Sequence, residues 1–220
     1  MIVPDEIYRS KRKTLSISVD ATGRLIIRAP LRCSEARITA FIEKKSEWIR
    51  TRQERARKIK DLLPKKELNG FQFSFLGQLC KIEKTSEKRM RFDATQNVLY
   101  LPSASDENLI VRWLKKYAKE FFSQSTFAWA SKMNASYKAV GVSSARKRWG
   151  SCSANNTLRF SFRLIYAPKD IIDYVVVHEL AHTFHKNHGK FFWARVKKYC
   201  PDWKIKRKWL KDHGYLMEIF

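Results

Sequence analysis

Four of this chain's five histidines, His178, His182, His185 and His188, fall within eleven residues at the end of an apolar run. Tyr174-Val175-Val176-Val177 leads directly into His178-Glu179-Leu180-Ala181-His182. Two His residues four apart on a helix share one face, a turn apart. Ionisable groups rarely bury without partners. A helix flanked by this much apolar surface therefore needs something that satisfies two imidazoles and a carboxylate together. A tetrahedral metal ion does so, and the ligand type points to zinc, with nickel or cobalt able to enter the same site. Glu179 is rotated about 100° from His178. From there it can reach a water at the ion without ligating the metal, which suits a general base.

A hydrolytic centre of this kind needs a third protein ligand. His185 continues the stripe of His178 and His182, and three ligands nearly in line cannot surround one ion. His188 is the better choice. Asn187 and Gly189 flank it, and both tolerate the left-handed turn that ends a helix and swings the chain back. Asp202 and His213 are weaker candidates.

The remainder reads as an α+β protein. Alternating residues predict strands over 14–19 and 24–29, separated by a turn at 20–23. Ser34 is placed to cap a helix reaching about residue 60. Further strands are expected at 71–76, 78–83 and 97–101, with Gly77 in the break. From Asp106 the period becomes helical as far as about Met133. Strands near 139–142 and 158–164 follow, the latter in a hairpin with 148–151 across Asn155-Asn156. Pro168 opens a helix over 169–184, and more helix is expected at 190–199 and 203–211. The division expected is a β-rich N-terminal domain with one long helix over 1–105 and a catalytic domain over 106–220.

Composition bounds the rest. Of 220 residues 44% are hydrophobic and 13% aromatic, enough for a packed core and unlike a disordered chain. The formal charge of +24 attracts polyanions, so a nucleic acid or nucleotide partner competes with simple solvation of the surface. The cations run along the whole chain without a basic arm. The four cysteines form no C-x-x-C pair, which fits reduced thiols. With no signal-like start and no apolar run near the ~18 residues of a span, a soluble cytoplasmic protein is expected. Oligomeric state leaves no sequence signal.

A second segment, Arg146-Lys147-Arg148-Trp149-Gly150-Ser151-Cys152, sets three cations before a glycine. It has two readings. Arg148 can serve an anionic substrate or oxyanion. Alternatively Trp149 and Cys152 pack in the core, with Gly150 allowing close approach to the histidine helix.

With these two segments in order, the chain resembles the YgjP-like (DUF45, WLM- and SprT-related) zinc metallopeptidases. The similarity rests on 174–182, Asn187-His188, Phe192-Trp193 and 148–153, together with Gly23 and Ala29-Pro30 near the N-terminus, and it covers nearly the whole chain. It implies a zincin-like catalytic domain with zinc on His178, His182 and His188 and Glu179 as base. It also implies a strand edge that holds an extended peptide, matched here to 158–164. One departure from the resemblance stands out: relatives usually carry Asn-Trp where this chain has Ser161-Phe162. The function expected is a zinc peptidase acting on peptide or protein. The alternatives are a metal-dependent phosphoanhydride hydrolase and a nucleic-acid-associated protease.

Overall fold

The computed structural model describes residues 2–20, 22–62, 68–146, 148–217 and 219. Lys147, in the middle of the basic segment, lies outside them. The chain forms two compact units, Met1–Leu63 and Pro64–Phe220.

In the first unit, β1 (Glu6–Ser10), β2 (Ser16–Val19) and β3 (Leu25–Pro30) make a sheet ordered β1-β3-β2. β3 pairs parallel with β1 and antiparallel with β2. Its alternate residues Leu25, Ile27 and Ala29 are fully buried and meet Ile38, Ile42 and Ile49. The single helix expected after Ser34 is two, α1 (Glu35–Lys44) and α2 (Ser46–Leu62). Ser34 caps α1 as expected, its Oγ accepting from the Arg37 amide. Lys45 leaves helical geometry and breaks the run. β1 was not anticipated, since its residues are mostly exposed and carry little hydrophobic pattern.

In the second unit, β4 (Gln72–Phe75), β5 (Gln78–Thr85), β6 (Arg91–Asp93) and β7 (Val98–Pro102) form a sheet ordered β4-β5-β7-β6. α3 (Glu107–Met133) follows. Asp106 caps it by accepting from the Leu109 amide at 3.0 Å, and Asn134 ends it in the left-handed region at φ 50°. Ile110, Leu114, Ala118, Phe122, Thr126 and Ala130 recur every four residues along its buried face.

The expected boundary near residue 105 does not separate two cores. Phe73, Phe75, Ile82 and Leu99 share one cluster with Leu114, Phe122, Phe160 and Val176. The turn between β4 and β5 shows how they join. Leu76 and Gly77 both have positive φ, as a two-residue hairpin turn requires. The Leu76 amide donates to Ile165 O at 2.8 Å, and Ser74 Oγ donates to Tyr166 O at 2.7 Å. A Cβ on Gly77 would stand 2.7 Å from Pro168 Cα. The hairpin thus docks on the backbone that leads into the histidine helix.

That helix is α4 (Lys169–Ala181), beside a small sheet of β8 (Ala139–Ser143), β9 (Gly150–Cys152) and β10 (Thr157–Ser161). The sheet order is β8-β10-β9, with β10 parallel to β8 and antiparallel to β9. The expected hairpin is present, but β10 stops at Ser161 and Phe162–Tyr166 turn as a short 3₁₀ helix. β10 is also the central strand. The edge beside α4 belongs to β9, so residues 158–164 cannot offer an unpaired edge to a peptide. Two helices complete the unit, α5 (Lys190–Tyr199) and α6 (Trp203–His213). Among the described residues no helix is long and apolar enough to cross a membrane.

Candidate metal centre

α4 is apolar almost all round. Ile171, Ile172, Tyr174, Val175, Val176, Val177, Leu180 and Ala181 are all buried, as a helix inside a core must be. Asp173 supplies a polar tie, accepting from Trp129 Nε1 at 3.0 Å and Ser125 Oγ at 3.3 Å on α3. His178, Glu179 and His182 are therefore presented on a helix held on several sides.

α4 ends earlier than predicted, at Ala181. Short turns follow, with the Thr183 amide on Leu180 O and the Phe184 amide on Ala181 O. The reversal does not use left-handed residues: neither Asn187 nor Gly189 has positive φ, and Gly189 is extended. Lys186 pins the loop instead. Its Nζ donates to Ser153 O at 2.9 Å and Asn156 Oδ1 at 2.6 Å, on the β9–β10 turn.

The loop returns His188 to α4. Its Nε2 lies 3.0 Å from His178 Nε2, and ligand atoms of His178, His182 and His188 all fall within 4.8 Å of one another. His185, Asp202 and His213 stay outside this group. His185 contributes its backbone: His182 Nδ1 lies 3.1 Å from the His185 carbonyl. A carbonyl only accepts, so Nδ1 carries the proton and Nε2 keeps its lone pair. Asp202 pairs with Lys206 at 3.2 Å, and the His213 ring stacks on Trp209.

These residues fit a metal ion. Tetrahedral zinc with bonds of about 2.0–2.1 Å sets its nitrogen ligands about 3.3 Å apart, close to the separation of the two Nε2 atoms. Burial pushes His178 down to about 3, with the charges of His182, His188 and Arg207 acting the same way. It is therefore neutral at pH 7, as a ligand must be. Burial lowers His182 as well.

Phe192 on α5 organises the cluster. It is fully buried, and its ring centroid lies 4.9, 4.5 and 4.7 Å from those of His178, His182 and His188. Trp193 stacks on His188 at 5.6 Å and on Trp203 at 4.0 Å. Phe192 belonged to the similarity, but nothing in the sequence assigned it this role. Phe192→Ala should cost ~3–5 kcal/mol of stability and weaken metal binding about 10- to 100-fold, as loss of supporting contacts does. Thermal melts and competition with a chelator measure both.

Glu179 is 5% exposed, and burial pushes its carboxyl up to about 8 against the lowering effect of Arg148. Gly150 on β9 makes its position possible. A Cβ there would lie 2.6 Å from both Cγ and Oε1 of Glu179. This supports the close-approach reading of the second segment, and Trp149 and Cys152 do pack partly buried against the core. Gly150→Ala should displace Glu179 and lower kcat at least tenfold, at ~1–3 kcal/mol of stability. Metal content by elemental analysis should stay at the wild-type value. Arg148 is exposed, free to meet a substrate. Ser161, where the resemblance implies Asn, is buried, and its Oγ donates to Ala145 O at 2.7 Å.

His178 and His182 at the end of α4, His188 from the loop beyond it and the buried Glu179 together fit a metal site of the His-Glu-x-x-His type. The chain belongs to the YgjP-like family, described as a metallopeptidase domain, whose profile matches residues 13–213. No curated protein and no solved structure was found to match it.

Proposed function

We propose that this protein is a zinc-dependent peptidase in which His178, His182 and His188 hold the ion and Glu179 is the general base. The supporting observation is the pairing of the imidazole cluster with a carboxyl that Gly150 alone leaves room for. A divalent ion held there would supply Lewis acidity toward a carbonyl oxygen and toward a water. Glu179 accepts a proton from the attacking water as the water oxygen adds to the carbonyl carbon, then passes it to the amine nitrogen as the C–N bond breaks. Nearby positive charge favours the carboxylate form that this requires. Arg148 already acts in that direction, which supports a role for it toward an anionic or developing negative charge of the substrate. β9, the edge strand beside α4, is where an extended peptide would add by main-chain hydrogen bonds.

The test sets unfolded protein and peptide libraries beside nucleoside triphosphates, using purified zinc-loaded protein. The expected result is peptide-bond cleavage that a chelator stops and zinc restores. Zinc-dependent release of phosphate without any peptide cleavage overturns the reading.

A further inference from the structure

A cleft of about 320 Å³ opens beside His178 and Glu179. Trp149, Val175 and Leu210 give its lining apolar surface, and Arg207 and Lys211 on α6 add two cations to it. The two cations are four residues apart on α6, so they share a face. Two other cations of this helix are matched, Lys206 with Asp202 and Asp170 and Lys208 with Asp212, while Lys204 lies over the Trp203 ring on the helix's first turn. Among the described residues Arg207 and Lys211 have no carboxylate at ion-pair distance. The Arg207 guanidinium lies instead 5.5 Å from the ring centroid of Trp193, the residue stacked on His188.

This arrangement asks for a ligand of definite charge. Arg207 and Lys211 are both exposed and solvated in the open cleft, so a neutral group gains nothing from them and a cationic one is repelled, whereas an anionic group is attracted by both. A carboxylate meets the guanidinium fork with two parallel hydrogen bonds and gains the ammonium as a point charge. Partial exclusion of water by the walls strengthens both. The position matters equally, because the same cleft is lined by His178 and Glu179. Whatever binds there is next to the bond being cut.

We propose that Arg207 and Lys211 form a carboxylate subsite, so that the preferred substrate carries a carboxylate adjacent to its scissile bond. The carboxylate is an acidic side chain or the C-terminus of the peptide itself. The subsite rests on the peptidase reading for its purpose but is tested separately from it.

Zinc-loaded Glu179→Gln protein, which binds without turnover, is titrated calorimetrically with three matched peptide sets. One is neutral and blocked at both ends. One carries a single Glu scanned through each position of the blocked peptide. One is neutral with a free C-terminal carboxylate. The best carboxylate-bearing peptide should bind at least about tenfold tighter than the neutral set. Adding Arg207→Gln and Lys211→Gln should reduce that advantage, taken relative to the neutral set on the same variant, to about threefold or less. A gain confined to the Glu set assigns a side chain, and one confined to the free terminus assigns a C-terminal carboxylate. Equal binding of all three sets, or a preference that survives the double substitution, overturns the subsite. Carboxylate preference in binding with no cleavage of any set by the wild-type protein upholds the subsite and defeats the peptidase reading. Cleavage without carboxylate preference does the reverse.

Discussion

Glu179→Gln should reduce peptide hydrolysis by about 10²- to 10⁴-fold, the usual contribution of a positioned general base, while zinc content stays at one per chain. Gln has the shape of Glu, so the contact with Gly150 survives and the three imidazoles are untouched. The substitution also has a stability signature. In the metal-free protein burial raises Glu179 to about 8 from an ordinary 4.5. The native state therefore holds its proton more tightly than the unfolded state does. That contribution is complete below about pH 4.5 and is lost as pH rises through about 8. On this ground metal-free wild-type protein should lose on the order of 5 kcal/mol relative to Glu179→Gln across that window. His178 titrates in the opposite sense: its folded value of about 3 means stability falls as pH drops below its ordinary 6.5. It is present in both proteins, so the difference between their melting curves isolates Glu179. Full activity in zinc-loaded Glu179→Gln would remove the carboxylate from the mechanism. Parallel melting curves from pH 4 to pH 9 would remove the buried-proton account.

What was legible in the sequence depended on how local its cause was. α3 runs to Met133 as its period indicates, because one face repeats every four residues between an Asp cap and an Asn stop. The convergence of His178, His182 and His188 was legible because two of them are a helical turn apart and the third must come from beyond the helix end. The route of that third ligand was not. It depends on Lys186 reaching the β9–β10 turn, a contact across thirty residues or more that has no signature in 183–189. The unit boundary failed for a similar reason. A change of period at residue 106 marks a new element, whereas a domain is set by shared burial, and Phe75 packs against Trp113 and Tyr117. The central place of β10 was likewise invisible, since strand order is fixed by pairing with β8 and β9 and not by the strand's own residues. Phe192 looked like any buried aromatic, and only the fold brings all three imidazoles to its ring.

His188→Ala should abolish activity and lower zinc affinity by more than about 100-fold, whereas His185→Ala should leave zinc bound and reduce activity only modestly. Losing a neighbour of a ligand typically costs 10- to 100-fold, so losing a ligand sets the larger effect. The contrast is informative because both histidines lie in the same loop and have the same chemistry. A helix continued through 185 would have put His185 on the stripe of His178 and His182. The helix stops at Ala181, and this exchanges their roles: His188 Nε2 comes to 3.0 Å from His178 Nε2, while His185 offers only its carbonyl to His182 Nδ1. That contact survives truncation of the His185 side chain, since it belongs to the backbone. What the substitution removes is ring packing on Phe191, an exposed residue at the surface. Titration with a chelating dye reads affinity, and elemental analysis reads occupancy. If His185→Ala lost zinc as completely as His188→Ala, the third ligand would have been misassigned. If neither lost it, His178 and His182 would be holding the ion with a ligand from elsewhere.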